Sequence, residues 1–334
     1  MRLDIVINTD DKYLQHAMAM LCSLYENNQK HQVMVHILCK DLSDRAKDYI
    51  NSLSTRYGNQ AIYYSVDERK LQGVQFRKNR PLSMAAYYRL LLSSVLPQDL
   101  EKVLYLDCDM IIMRDLQEIF NIELDDYALA ATLDTFPYSQ QHRLQLHMEV
   151  GERVFCSGIM MVNLKYWRDH NVEPGLLEYA KRHREEVYLH DQDVLNYYFK
   201  KKWFLLPPKW NHVAGTLKAS RAPQYKSFDM IAYAKEPMIY HYASVGMKPW
   251  YAVPTPEKRL YLKYLVLSGF KEASFEEKNL RKSIQLITST IKYDIKKVIQ
   301  KVLLSNHLTE QLGGADYNLT AATGTLHVEL KLAA

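Results

Sequence analysis

Two carboxylates follow a short apolar run near the middle of the chain. Residues 103–112 read V-L-Y-L-D-C-D-M-I-I, and the first four are typical of a buried strand. Because side chains alternate along a strand, Asp107 and Asp109 should point to the same side, with Cys108 facing the other way. Two carboxylates at one strand end repel each other unless a cation lies between them, and oxygen ligands suit Mg²⁺ or Mn²⁺. For a D-x-D sequence alone, two solvated aspartates at a turn remain the alternative.

Further candidates stand where other apolar segments begin or end. Arg89 is either a surface cation or the neutraliser of a bound anion, and Asp191 is either a helix N-cap or a carboxylate of the site. His241 offers the imidazole that a site of two carboxylates and Mn²⁺ accepts, and Lys248 could reach a phosphate. The small residues of F-C-S-G at 155–158 would let a ligand approach the backbone closely.

Strand and helix patterns alternate over the first part of the chain. Strands are predicted at 5–7, 33–38 and 62–66, with helices from Leu14 and from Ser43 between them. This alternation predicts an α/β fold with a mostly parallel sheet and helices on both faces. Ligands bind beyond the carboxyl ends of such strands, so the turn at 8–13 and the two aspartates should share one crevice.

Composition restricts the class of protein. The 334 residues are 48% hydrophobic and 24% charged, as in globular proteins of one large or two moderate domains. The four cysteines form no C-x-x-C pair, which favours neither a zinc site nor a disulfide framework and fits a reducing compartment. Asp4 interrupts any signal-peptide pattern, and no apolar run approaches the roughly 18 residues of a membrane span. We therefore expect a cytoplasmic protein, with no nucleic acid among its partners.

Six segments, in order, resemble the family 8 retaining glycosyltransferases, which include bacterial lipopolysaccharide galactosyl- and glucosyltransferases and glycogenin. The segments are N-T-D-D-K-Y at 8–13, Y-Y-R at 87–89, L-Y-L-D-C-D at 104–109, F-C-S-G at 155–158, H-D-Q-D at 190–193 and H-Y-A-S-V-G-M-K-P-W at 241–250. The sequence departs from the family twice. Cys156 stands where Asn is common, and the interval from His241 to Lys248 is one residue longer than usual, which predicts a bulge at 244–246.

The resemblance implies a GT-A fold, a Rossmann-like α/β architecture, that binds a UDP-sugar and Mn²⁺, with Mg²⁺ as the alternative ion. Asp107, Asp109 and His241 match the metal ligands. The residues that match donor-binding positions are Asn8, Asp10, Tyr13, Arg89, Asp134, Ser157, Gly158 and Lys248. Asp191 and Gln192 match the pair that flanks the reacting carbon.

The implied reaction moves galactose or glucose from UDP to a glycan or glycolipid, in lipopolysaccharide or surface polysaccharide synthesis. Retention of configuration needs either a double displacement or attack from the leaving-group face, and we favour the second, with UDP oxygen helping to deprotonate the acceptor. Asp191 could be a nucleophile or a stabiliser. Two other functions fit the aspartates: a haloacid-dehalogenase-type phosphatase with Asp107 as nucleophile, and a non-catalytic nucleotide-sugar-binding protein.

The sequence changes character near its C-terminus. We predict a GT-A domain at 1–260, a basic helical region at 261–312 and a flexible tail at 313–334. Residues 281–301 include six basic residues and one acidic residue, a net charge of +5. This equals the formal net charge of the whole chain. An Ile/Val stripe at helical spacing runs through 284–302. The segment is either a helix packed on the domain or an amphipathic segment on an anionic membrane surface, at the inner face of the cell membrane.

Overall fold

The computed structural model describes most of the first 274 residues and two strands near the C-terminus. The described residues are 1–74, 84–134, 147, 149, 152–184, 187, 189–213, 233, 236–243, 248–251, 255, 257–274, 317–322 and 325–330. Ser83, which the sequence suggests as a helix cap, the expected bulge at 244–246 and the basic segment 281–304 lie outside them.

A seven-stranded sheet forms the centre of the larger compact unit, which comprises 1–250 and 257–275. Its strands are β1 (Arg2–Asn8), β2 (Gln32–Cys39), β3 (Gln60–Ser65), β4 (Lys102–Leu106), β6 (Leu129–Leu133), β7 (Phe155–Asn163) and β8 (Trp203–Leu205). Their order across the sheet is β3-β2-β1-β4-β7-β6-β8. The inner strands are apolar because both faces of the sheet are covered there, and β4 and β6 are almost wholly buried, whereas the edge strands β3 and β8 are partly exposed.

The pairing confirms the predicted α/β fold with a mostly parallel sheet. Strand β1 runs parallel to β2 and β4, β2 runs parallel to β3, and β6 runs parallel to β8. Strand β7 runs antiparallel to both of its neighbours, β4 and β6. This reversal brings the start of β7, where F-C-S-G lies, to the same edge as the end of β4. Strand β7 begins at Phe155 itself, so the small residues of F-C-S-G belong to the strand.

Helices cover the sheet between the strands. They are α1 (Leu14–Glu26), α2 (Asp44–Arg56), α3 (Leu92–Val95), α4 (Gln117–Phe120), α5 (Leu164–Asp169), α6 (Val172–Arg182), α7 (Asp191–Tyr198) and α8 (Lys258–Ser268). A 3₁₀ helix, Met84–Leu91, leads into α3. Ser43 caps α2 as predicted, because its Oγ accepts a hydrogen bond from the Ala46 amide at 3.2 Å. Helix α8 packs on α1, where Asn27 donates to the Tyr264 hydroxyl at 2.9 Å.

A second, three-stranded sheet stands at the carboxyl edge of the first. It consists of β5 (Met110–Ile112), β10 (Ile239–His241) and β9 (His212–Val213), in the order β5-β10-β9. Strand β10 runs antiparallel to β5 and parallel to β9. Because β5 begins directly after Asp109, this small sheet places residues from the last third of the large unit next to the D-x-D turn.

A second compact unit comprises 251–256 and 276–334. Its described part contains an antiparallel pair, β11 (Tyr317–Ala322) and β12 (Thr325–Leu330), within the segment for which the sequence predicts a flexible tail. The domain boundaries at 260 and 312 stay predictions. Among the helices that the structure describes, none has the length and apolar character that a membrane crossing needs.

Candidate active site

The D-x-D residues occupy a turn between β4 and β5. Strand β4 ends at Leu106 and β5 begins at Met110, so a turn, and not strand alternation, brings Asp107 and Asp109 to one side. With His241 they form a group whose potential ligand atoms all lie within 4.8 Å of one another. The structure thus brings together the three residues that match metal ligands.

Strand pairing puts His241 into this group. In the β5–β10 ladder His241 pairs with Met110, and the amide of the next residue, Tyr242, donates to the Asp109 carbonyl at 2.9 Å. Gly158 leaves the space that the side chains need. A Cβ at that position would lie 2.7 Å from Cε1 of His241 and 2.8 Å from Oδ2 of Asp107, too close for any L side chain. Glycine here lets the candidate ligands approach each other.

The donor set fits a hard divalent cation. His241 Nε2 lies 3.2 Å from Asp109 Oδ1, close to the roughly 3 Å between adjacent ligands of an octahedral ion with bonds of about 2.1 Å. Among the described residues, the hydrogen bonds to the Asp107 side chain fall on Oδ1, which accepts from Arg89 at 2.8 Å and from the Tyr105 hydroxyl at 2.9 Å. Its Oδ2 is the atom beside Gly158 that faces the site. Two carboxylates and an imidazole suit Mn²⁺ or Mg²⁺.

Arg89 neutralises the Asp107 side of the site from within the protein. Its guanidinium donates to the Ser157 carbonyl at 2.8 Å and to the Ala86 carbonyl at 3.1 Å, and Nε lies 3.2 Å from Asp191 Oδ2. Burial alone would lower the pKa of Arg89, but Asp107 and Asp191 raise it above its ordinary value. Arg89 is therefore a buried cation between two carboxylates and not a surface charge.

Lys248 neutralises the Asp109 side. Its Nζ lies 2.5 Å from Asp109 Oδ2 and donates to the Tyr242 carbonyl at 2.7 Å. Burial would raise the pKa of Asp109, but Lys248 and then His241 hold it below its ordinary value. Burial would likewise lower the pKa of His241, and the Asp109 carboxylate raises it to about 10. Binding of a metal through Nε2 therefore requires that atom to lose its proton.

Asp191 and Gln192 begin helix α7, beside the start of β7. Ser157 joins them: its Oγ donates to Asp191 Oδ2 at 3.0 Å, and its amide donates to Gln192 Oε1 at 3.0 Å. The other end of the Gln192 amide donates to Asp134 Oδ2 at 2.7 Å. Burial raises the pKa of Asp191 to about 6 against the opposing effect of Arg89. Asp191 is the first residue of the helix and not its N-cap.

The last residue of β1 and the turn after it supply the remaining predicted donor-binding residues. Asn8 Nδ2 donates to the Ala85 carbonyl at 2.9 Å and to the Tyr105 hydroxyl at 3.1 Å, which links it to Asp107. Asp10 Oδ1 accepts from the Tyr13 amide at 2.9 Å and shapes the turn. The exposed ring of Tyr13 meets Trp250 edge to face, with 5.9 Å between centroids.

Several site residues escaped the sequence reasoning. The Tyr105 hydroxyl is hydrogen-bonded to both Asn8 and Asp107. The sequence does indicate this residue, because it lies in a strand two positions before Asp107, and side chains two positions apart along a strand point to the same side. Asn211 and Thr132 extend the site behind His241, and Asn196 Oδ1 accepts from the Phe155 amide at 2.8 Å, which fixes α7 to β7. No local pattern marks these three, because their partners are distant in sequence.

Comparison with known families matches residues 4–253 to the family described as Glycosyl transferase family 8. General stress protein A of Bacillus subtilis is 25% identical over 258 residues, which cover 74% of this chain and 87% of that protein. Glycosyltransferase GlyF of Streptococcus pneumoniae is 26% identical over 250 residues, 75% of this chain, but the match spans only 58% of that protein. Lipopolysaccharide 1,2-glucosyltransferase of Escherichia coli is 24% identical over 245 residues, 72% of this chain and 71% of that protein.

Solved structures share the fold. The galactosyltransferase LgtC in complex with donor and acceptor sugar analogs superposes with a TM-score of 0.68 at 22% identity, over 80% of this chain and 95% of that one. An active-site mutant of LgtC superposes with a TM-score of 0.71 at 25% identity, over 80% of this chain and 96% of that one. The superposed region therefore has the GT-A fold that the sequence predicted.

Proposed function

The chain belongs to glycosyl transferase family 8, and we propose that it is a retaining transferase that moves galactose or glucose from a UDP-sugar to a glycan or glycolipid. The proposed setting is lipopolysaccharide or surface polysaccharide synthesis. Two relatives support this: one bears the name lipopolysaccharide 1,2-glucosyltransferase, and the LgtC crystal structure contains donor and acceptor sugar analogs.

The observation that carries the proposal is a continuous network from the candidate metal ligands to the pair at the start of α7. Arg89 contacts Asp107 at 2.8 Å and Asp191 at 3.2 Å, and Ser157 contacts Asp191 and Gln192. A transferase needs its leaving-group site and its sugar site held in fixed relation, because misplacement of the reacting atoms lowers the rate.

At the leaving-group end, Asp107, Asp109 and His241 would hold Mn²⁺, or Mg²⁺ in its place. The ion would supply a positive charge that stabilises the UDP released when the sugar–phosphate bond breaks. Lys248 would exchange its contact with Asp109 for the diphosphate, and Trp250, whose ring centroid lies 5.6 Å from Nζ, would support it. At the end of β1 and in the turn after it, Asn8, Asp10 and Tyr13 would bind the uridine.

At the sugar end, the chain orients groups against the developing positive charge. Asp191 is only 6% exposed, and Arg89 and Ser157 both contact its Oδ2. Held in this way, Asp191 acts in our proposal as a stabiliser more readily than as a mobile nucleophile, which supports attack from the leaving-group face. Asp134 and the Ser157 amide hold Gln192 at both ends, so that its carboxamide keeps one orientation beside the donor sugar.

Hydrolysis of sugar nucleotides tests the proposed activity directly. The purified protein is incubated with UDP-galactose, UDP-glucose or UDP-N-acetylglucosamine, with Mn²⁺ or with EDTA, and UDP release is measured. We expect release from UDP-galactose or UDP-glucose that EDTA abolishes. The anomeric configuration of a transfer product, read by NMR, checks retention.

Two alternatives predict other results in the same assay. A phosphatase with Asp107 as nucleophile would release phosphate from simple phosphomonoesters, and a binding protein would turn over nothing. The family match disfavours both, and Asp107 Oδ1 is already engaged by Arg89 and Tyr105. Metal-independent phosphate release, or tight UDP-sugar binding without turnover, would overturn the proposed function.

We further propose that 281–304 attaches the enzyme to anionic membrane surfaces. A basic residue near such a surface contributes about 1 kcal/mol, so several together hold a protein reversibly. In vesicle co-sedimentation at low salt we expect binding to anionic but not to neutral vesicles, and loss of binding after truncation following Lys271 while UDP-sugar hydrolysis persists. Equal recovery in the supernatant with and without anionic lipid would exclude this attachment and favour a helix packed on the domain.

A further inference from the structure

A buried chain of polar side chains stands behind His241, on the side away from Asp109. His241 Nδ1 lies 2.9 Å from Asn211 Oδ1, and Asn211 Nδ2 lies 3.0 Å from Thr132 Oγ1. His241 and Asn211 are each 4% exposed, and Thr132 is 2% exposed. At this depth each polar group needs a partner, because an unmade hydrogen bond is costly without water.

The two ring nitrogens of His241 have different tasks. For Nε2 to bind a metal it must offer a lone pair, which requires the remaining proton of the neutral ring to be on Nδ1. An Nδ1–H group in turn needs an acceptor, and Asn211 Oδ1 can only accept. With its oxygen towards His241, Asn211 favours the one tautomer that can bind the ion.

We propose that Asn211 is a positioning residue: its amide oxygen holds the proton of His241 on Nδ1 and orients the ring so that Nε2 faces Asp109 and the metal. Thr132 lies at the other end of the amide, where its hydroxyl accepts from Nδ2 in this orientation. This inference rests on the metal-binding role proposed for His241, and it adds two residues that touch neither metal nor substrate.

The fold makes this arrangement stable. Asn211 directly precedes β9, which pairs with β10 through Tyr240–His212 and His241–Val213. Thr132 belongs to β6 of the large sheet, so the amide joins the two sheets at the site. A merely structural role, in which Asn211 only ties the sheets together, is the competing explanation, and the experiment must separate the two.

Binding of Mn²⁺ alone is the test, measured by the EPR signal of the free ion in the absence of nucleotide. Asn211→Leu removes the acceptor and keeps the number and branching of the side-chain heavy atoms. Asn211→Asp keeps an acceptor, since a carboxylate also accepts a hydrogen bond from Nδ1–H, and the Thr132 hydroxyl can turn to donate to it. Asn28→Asp is the matched control: Asn28 is 1% exposed and hydrogen-bonded to Leu24 and Leu116, outside the metal group.

We expect Asn211→Leu to weaken Mn²⁺ binding by about 10- to 100-fold, the usual effect of losing an outer partner of a metal ligand. Asn211→Asp should stay within about 3-fold of wild type, and Asn28→Asp should lower the unfolding midpoint without changing Mn²⁺ affinity. Wild-type affinity in Asn211→Leu, or equal losses in the Leu and Asp variants, would overturn the proposal.

Two further comparisons keep the test decisive. If Asn211→Leu does not fold, Thr132→Val should bind Mn²⁺ more weakly than Thr132→Ser by about 3-fold, because only serine keeps the hydroxyl for the amide. Equal affinities would then overturn the proposal. His241→Ala distinguishes failure of the proposed metal site from failure of the proposed role of Asn211. If His241→Ala binds Mn²⁺ like wild type, the metal site of the proposed function is wrong. If His241→Ala loses Mn²⁺ affinity and Asn211→Leu does not, only the role of Asn211 is refuted.

Discussion

Asp107 and Asp109 are two residues apart, yet the cations beside them are held in different ways. Arg89, beside Asp107, is also bonded to two carbonyls and to Asp191, and its guanidinium carbon lies 4.4 Å from the centroid of the Tyr105 ring. Lys248, beside Asp109, has a carboxylate and the Tyr242 carbonyl as its described hydrogen-bond partners. The first cation is fixed by the surrounding fold, and the second is held by a long, flexible side chain.

This difference indicates which charge can be exchanged. Arg89 cannot lose its proton in a protein, and several partners would have to be replaced at once if it moved. Lys248 can leave Asp109 by rotation about its side-chain bonds, and His241 can release a proton. We therefore expect the Asp107 side to act as a permanent scaffold, and the Asp109 side to exchange a protein cation for a metal ion and a diphosphate.

The largest expected effects come from removing one charge on each side. Asp107→Asn and Asp109→Asn should each weaken Mn²⁺ binding by more than about 100-fold, since even an outer partner of a ligand is worth about 10- to 100-fold. Both should also lower the free energy of unfolding, by about 2 kcal/mol, because each removes a carboxylate that accepts from a charged group. Asp107→Asn leaves Arg89 with Asp191 as its described carboxylate partner, and Asp109→Asn removes the carboxylate that holds the pKa of His241 above its ordinary value. Mn²⁺ titration and urea unfolding of the metal-free proteins measure the two effects.

Asp115→Asn is the control for these variants, because Asp115 pairs with Lys30 and lies outside the metal group. It should leave Mn²⁺ affinity unchanged. If Asp107→Asn left the free energy of unfolding unchanged, the description of the Asp107 side as a fixed part of the fold would be wrong.

An intermediate effect is expected from Lys248→Met, which keeps the length of the side chain and removes its charge. Without nucleotide, Mn²⁺ should bind about 3- to 10-fold more tightly, because a competing ion pair of about 1 kcal/mol is gone. In the presence of Mn²⁺, UDP should bind more weakly, because a cation for the diphosphate is missing. Calorimetry of both ligands checks this opposite response. Unchanged Mn²⁺ affinity would mean that Lys248 does not compete for the site.

The last prediction concerns stability and not ligand binding: His16 supports the Lys248 side by stacking on Trp250, with 3.6 Å between ring centroids. Burial lowers the pKa of His16 to about 3. Between that value and the ordinary value of about 6.5, the unfolded chain binds a proton that the folded chain does not, so stability falls as pH falls. One such group contributes a slope of up to about 1.4 kcal/mol per pH unit.

Replacement of His16 by glutamine should remove that contribution and retain an acceptor for the Tyr261 hydroxyl, which lies 2.8 Å from Nδ1. Urea unfolding at pH 4 to 6 with EDTA measures the slope for His16→Gln and for wild type. Parallel curves over this range would show that His16 titrates normally in the folded protein.

Much of this molecule follows from local sequence. Alternation of apolar strands with helical stripes predicted β1 to β3, α1 and α2, because a covered parallel sheet needs apolar residues on both faces and each helix needs one apolar stripe. The order of six short segments predicted the family and the GT-A fold. The same segments contain every residue proposed for the metal and donor sites except Asp134, since catalytic groups of this kind lie at strand ends, where sequence reveals turns and small residues.

Tertiary structure decided which of those residues meet, and through which atoms. The antiparallel course of β7 puts Gly158 against Asp107, and the pairing of β5 with β10 puts His241 against Asp109, across intervals that no local pattern spans. Arg89 and Lys248 look alike in sequence as single basic residues, yet one is pinned by neighbours from several elements and the other is not. No sequence pattern indicated that Asn211 would lie beside His241. The residue type determines whether a side chain carries a charge. Its partners, its burial and its freedom to move depend on the distant segments that pack beside it in the folded protein.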